Sequence, residues 1–271
     1  MFEIPLAFPC LPACPHSQAP PSSQRLLKRA ERRIADKHYA KAVSDLRRAI
    51  ALGADAYVCT LRIADLERRQ QHWQFALCAA EQAAALAPER VVAYEMLMTI
   101  SLQAGDYERA ISASQSLLKL MPYHQAANDT LSAIYMQRGD VDAALRVLNT
   151  LIRLDPDNGL YQFKKGLLCQ HKGEIAMAVN AFSMVLFLEE DSPLAHEAQN
   201  ALETLDAFQM NQILTLGMED VIFRACLLRD AAEAAGERGF ILSEQGNHIL
   251  AELCAQLLPH ALDTCRLLRY N

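Results

Sequence analysis

Ala104-Gly105-Asp106-Tyr107-Glu108-Arg109-Ala110 returns 34 residues later as Arg138-Gly139-Asp140-Val141-Asp142-Ala143-Ala144, and again as Lys172-Gly173-Glu174-Ile175-Ala176-Met177-Ala178. The same step runs backwards. Ala42 and Ala76 extend the alanine ladder, and Tyr39 and Trp73 extend the row of bulky apolar residues. Pro88, Pro122 and Pro156 keep the interval as well. A fixed period of this length marks a stacked architecture, in which one supersecondary unit buries its apolar face only against its neighbours.

Five units follow from the step: 23–56, 57–90, 91–124, 125–158 and 159–192. Each holds two apolar-periodic stretches of about a dozen residues, the length of an ordinary globular helix. The glycine between them suits a left-handed residue that closes the first helix. The Asp or Glu after it is placed to cap the second helix, or to favour its positive end. The proline at the unit's end stops that second helix. The ladder alanines lie where two helices cross closely and a small side chain lets the backbones approach. The units are not identical. Lys37 and Gln71 stand where the hinge glycine would fall, Gly53-Ala54 replaces the first closing proline, and Pro193 arrives three residues late.

The expected fold is all-α: an α-solenoid of five helix-turn-helix repeats over 23–192. A Pro-rich irregular lead-in (1–22) precedes it, and a capping helix (193–209) and a small helical region (210–271) follow. Residues 193–209 are amphipathic and lie where an array needs a terminal helix with one polar face. Beyond them the spacing predicts three helices at about 219–228, 230–238 and 243–268, with Pro259 kinking or splitting the last.

Composition narrows the function. Hydrophobic residues make up 52% and charged residues 21% of 271, enough apolar content for a packed core. Lys and Arg number 26 against 32 Asp and Glu, a net charge of −6. Without a long basic run, nucleic acid and anionic membranes are not the expected partners. The eight cysteines share no C-x-x-C spacing, so buried free thiols in a reducing cytoplasm are expected rather than a disulfide framework or zinc site. Cys10 and Cys14, in the lead-in, could pair or bind metal. No Lys or Arg precedes Gln24, and prolines interrupt the apolar lead-in, which argues against a signal peptide. The charge-free run Ile175–Leu188 is too short to span a bilayer.

No phosphate-binding loop, H-E-x-x-H or G-x-S-x-G occurs. His38 and His72 recur at the 34-residue step beside Tyr39 and Trp73, which makes them hinge neighbours rather than metal ligands. No catalytic residue, metal ligand or cofactor is expected.

The Gly-Asp-Tyr hinge, the alanine three residues after the Tyr, and the closing proline together resemble tetratricopeptide repeats over residues 23–192. The resemblance implies a non-catalytic scaffold whose first helices line a concave groove for a protein or peptide. The residues at the corresponding places are Asp65, Arg68 and Arg69 in the second unit, and Glu95, Thr99 and Leu102 in the third. The fourth offers Asp129, Ala133 and Met136, and the fifth Phe163, Leu167 and Gln170. Members that bind chaperone tails carry a Lys/Asn/Arg carboxylate clamp. Leu27 and Glu31 occupy its places here, so a chaperone partner is not implied.

Phe223-Arg224, Leu227-Leu228, Asp230, Gly239 and Leu242-Ser243 are similar to a small helical module of leader regions in bacterial ribosomally made peptide precursors. No Gly-Gly cleavage site follows. The resemblance therefore implies a reused docking module for a modifying enzyme, and the alternative is a helical cap on the array.

Overall fold

A computed structural model describes residues 20–267, with side chains described through residue 256. The expectations for Cys10, Cys14 and most of the lead-in lie outside the described residues. Those residues form fourteen helices and no strand. The chain divides into two compact units between Val147 and Leu148.

The first unit holds α1 (Pro21–Ala35), α2 (Tyr39–Ala51), α3 (Ala56–Arg69), α4 (Trp73–Leu86), α5 (Val91–Ala104), α6 (Tyr107–Leu120), α7 (Gln125–Arg138) and the first half of α8 (Val141–Leu154). Its helices α1 to α7 each pack on the next. The bulky row of the 34-residue step opens every second helix: α2, α4, α6 and α8 begin at Tyr39, Trp73, Tyr107 and Val141. The alanine three positions on has no exposed surface in any of them, nor has Ala178 in the second unit. α1 starts at Pro21, inside the stretch expected to be irregular, because proline's fixed φ suits the first helical turn.

The hinges explain the uneven repeats. Gly105, Gly139 and Gly173 take φ of 74°, 73° and 78°, and Lys37 and Gln71 take 58° and 60°. All five hinges are left-handed whether or not glycine is present, so helix packing overrides the local preference. Lys37→Gly and Gln71→Gly should each stabilise the first unit by about 0.5–1 kcal/mol, since the conformation costs a side chain roughly 1–2 and glycine's extra chain entropy returns part of it. Urea unfolding followed by the fluorescence of Trp73, the chain's one tryptophan, checks this. The Asp caps hold at Asp106, which accepts from the Arg109 N–H, and at Asp140, which accepts from Ala143. Glu174 makes no cap bond; Lys172 binds it at 2.8 Å instead.

Asp45 clasps α1 to α2. It is buried and accepts from Arg29 at 2.6 and 2.8 Å and from Arg33 at 2.7 Å. The hydrogen bonds from Arg29, ahead of the charges around it, hold its carboxyl below the usual range.

The second unit holds the rest of α8, then α9 (Gly159–Lys172), α10 (Ile175–Leu188), α11 (Pro193–Glu219), α12 (Val221–Arg229), α13 (Ala231–Glu237) and α14 (Glu244–Leu267). α10 and α11 pack on α9, and α12 to α14 pack on one another, with α12 and α14 also against α11. The three C-terminal helices fall where the spacing places them, but α14 continues through Pro259 unsplit.

α11 differs from expectation: it does not stop at 209. Its buried stripe runs Ala195, Ala198, Leu202, Leu205, Asp206, Gln209, Met210, Ile213 and Gly217, without a break. The upper part of that stripe faces α10, and Met210 and Ile213 enter the C-terminal core with Phe223, Leu227, Ala234, Leu242 and Leu250. One helix therefore serves both the repeat side and the C-terminal region. Polar pairs fix the join. The Gln209 side chain donates to the Ile241 carbonyl and accepts from its N–H, and Asp206 accepts from the Ser243 N–H and hydroxyl.

Candidate functional site

Three first helices of the first unit carry the sequence-derived row. On α3, Arg68 and Arg69 lie one turn beyond Asp65 and reach back to it, the i,i+3 and i,i+4 geometry of a helix. Arg68 donates to one Asp65 oxygen at 2.7 Å, and Arg69 to the other at 2.8 Å. Asp65 is buried beneath them. Burial disfavours the Arg69 charge, but Asp65 and the Tyr39 hydroxyl outweigh it, and its pKa is raised. Asp65 is therefore the anchor of the pair, in which Arg68 is largely covered and Arg69 presents the open charge.

On α5, Arg68 Nη1 donates to Gln103 at 3.4 Å, tying α5 to α3. Glu95 bonds His124 at 2.8 Å, and the other His124 ring nitrogen accepts from the Ala127 N–H to cap α7. That pairing makes His124 the N–H donor to Glu95 when neutral. Thr99 is buried and donates its hydroxyl to the Glu95 carbonyl, so it braces the helix rather than facing outward. Leu102 on α5, and Asp129, Ala133 and Met136 on α7, are partly exposed. Leu102 and Met136 are equivalent positions one repeat apart, as are Arg68 and Leu102.

A cleft of about 190 Å³ opens beside this row, lined by Ile34, Arg62, Asp65, Leu66 and Arg69. Arg62 adds a third guanidinium, 3.8 Å from Glu31. Sequence reasoning missed Arg62, Gln103 and His124. Gln103 shares the 34-residue step with Arg69, which could have found it; His124 precedes the helix it caps and carries no such mark.

In the second unit, Phe163 is buried against Phe182, ring centroids 5.6 Å apart and edge to face. A side chain on Gly166 would meet the Phe182 ring at 2.6 Å, so the glycine there is a close-packing requirement of the same core. Phe163 is thus a core residue, while Leu167 and Gln170 keep partial exposure.

Among the described residues no His, Cys, Asp and Glu group could hold a metal ion, and no helix is long and apolar enough to cross a membrane. The free thiols of Cys59, Cys169 and Cys254 are buried, as expected, whereas Cys78 is exposed. Burial pushes the Cys169 and Cys254 thiols up, which leaves them poor nucleophiles.

Residues 101–167 match the tetratricopeptide repeat family. Among solved structures, the fold is similar to YrrB, described as a tetratricopeptide protein with an unusual peptide-binding site. The two share 16% identity and a TM-score of 0.52 over 65% of this chain and 90% of that one. It is also similar to MamA, with 18% identity and a TM-score of 0.53 over 62% and 92% of the two chains. MamA from Desulfovibrio magneticus RS-1 gives 16% and 0.51 over 64% and 99%. No curated protein sequence matches. These likenesses carry the fold: helix pairs stacked as tetratricopeptide repeats.

Proposed function

We propose that this tetratricopeptide repeat protein is a non-catalytic cytoplasmic scaffold that holds a protein or peptide, not a nucleic acid, along the first-helix row of α3, α5 and α7. The observation that carries the reading is the repeat-equivalent set Arg68, Leu102 and Met136. It places a charged group and two partly exposed apolar side chains at matched positions on successive first helices. Extended or helical peptides are recognised in this way, by apolar anchors at regular intervals with a few fixed charges. The half-exposed Arg69 guanidinium is suited to a carboxylate on the ligand. In the second unit, taken by itself, Leu167 and Gln170 stand at the repeat positions of Ala133 and Met136 and are proposed as contacts of that unit.

The test must spare the Asp65 anchor. Removing both arginines would leave a buried carboxylate without partners, so Leu102→Glu with Met136→Glu is the better variant. The double variant should retain its helical circular dichroism and lose at least tenfold of the partner captured by the wild-type chain, because two apolar contacts are replaced by desolvated charge. Undiminished capture would place the partner elsewhere.

A second reading makes the chain an accessory factor in bacterial peptide maturation or a related assembly pathway, docking a modifying enzyme through residues 210–271. Its support is the exposure of Met218, Val221 and Ile222 at the turn between α11 and α12, an unusual grouping of large apolar residues in water.

A further inference from the structure

A larger groove lies between α2 and the α3–α4 hairpin, lined by none of the candidate row residues. It has a volume of about 560 Å³, and its mixed lining sets the apolar Val43 and Phe75 among the polar Ser44 and Gln70 and the exposed Arg47 and Arg48. Clefts that hold ligands run from about 300 to 1,000 Å³. The Phe75 ring is 62% exposed and meets His72 edge-on at 6.3 Å. His72 in turn bonds the buried Glu67 at 2.9 Å, which fixes the wall of the groove from beneath.

The charges on the rim are only partly balanced from within. Glu67 spends one oxygen on His72, and its other makes a long ion pair with Arg47 at 3.9 Å, too far for a hydrogen bond. Arg48 makes no ion pair among the described residues; the nearby Asp45 carboxylate is taken by Arg29 and Arg33. Two exposed guanidiniums therefore stand beside an exposed aromatic ring. Arginine supplies paired donors to a carboxylate and stacks on apolar surface. Two cations with a carboxylate beneath them are also too few for a nucleic-acid backbone.

We propose that this groove is a second docking site, for an acidic peptide segment that seats one aromatic side chain against Phe75 and sets flanking carboxylates on Arg47 and Arg48. The site is separate from the first-helix row and does not depend on it.

The test uses the full chain and a fluorescein-labelled octapeptide with one phenylalanine between glutamates, followed by anisotropy. Its glutamine counterpart and its alanine counterpart serve as comparisons. The acidic peptide should bind, both counterparts should bind at least tenfold more weakly, and added salt should weaken the acidic peptide's binding. Arg47→Gln with Arg48→Gln should lower affinity at least tenfold; both side chains are exposed and neither change sets a new carboxylate against Glu67 or Asp45, so the variant should melt close to the wild type. Phe75→Ala should act in the same direction, and Leu102→Glu with Met136→Glu should leave binding unchanged. No binding, equal binding of the glutamine peptide, or full binding to the arginine variant would overturn the second site. Loss in the Leu102/Met136 variant alone would assign the peptide to the first-helix row, leaving that reading intact and this one refuted.

Discussion

Asp206→Ala is expected to loosen the C-terminal helices from α11 by about 2–4 kcal/mol. The Ser243 N–H is buried and has Asp206 as its acceptor, and an orphaned buried amide costs roughly 1–3 kcal/mol. Losing the Ser243 hydroxyl bond adds about 1 kcal/mol. The same hydroxyl also accepts from the Gly246 N–H at the start of α14, so the helix loses the group that orients its cap. Hydrogen exchange reads the effect directly. Amides of α14 and the loop before it should exchange roughly 30- to 1,000-fold faster, while those of α3 to α6 should not change. Asp206→Asn keeps one acceptor oxygen and should fall between. Unchanged protection in the alanine variant would mean that the apolar cluster around Phe223 and Leu250 holds these helices unaided.

Ala110→Leu is the second large effect. Ala110 has no exposed surface, and α6 packs there on α5. Three added carbons find no space, and overpacking of this kind costs about 1–3 kcal/mol, sometimes more. Ser112, exposed on the same helix, is the control: Ser112→Leu should change stability by no more than about 0.5 kcal/mol. Urea unfolding followed by Trp73 fluorescence compares the two, since Trp73 opens α4 and packs against a core of the same unit. A cost for Ala110→Leu no larger than for Ser112→Leu would remove close helix crossing as the cause of the ladder.

How far the sequence carries is visible at single residues. The ladder alanines and the bulky row mark where the second helices of the repeats fall, because packing of this kind must repeat wherever the step repeats. Lys37 and Gln71 look like departures and are not. The left-handed hinge costs an ordinary residue about 1–2 kcal/mol, which a buried helix pair outweighs. The join at 209 was illegible for a different reason. No glycine or proline marks it, and Gln209, polar in sequence, is buried because Ile241 answers both ends of its amide. For the row of candidate contacts, helical spacing was enough to link Asp65 with Arg68 and Arg69. It could not separate Thr99 and Phe163, which face the core, from Leu102 and Met136, which do not, because that depends on how the neighbouring helices cross.

The methionine methyls report directly where a ligand lies. Met96 and Met98 are buried in the first unit, Met136 lies on the proposed row, and Met121, Met177, Met184 and Met218 are exposed elsewhere. With the methyls labelled by carbon-13, titration with the segment of a partner captured by the wild-type chain should shift or broaden the Met136 signal first. The exposed methionines away from the row should stay where they are. Movement of Met177, Met184 or Met218 with Met136 unmoved would contradict binding on the first-helix row.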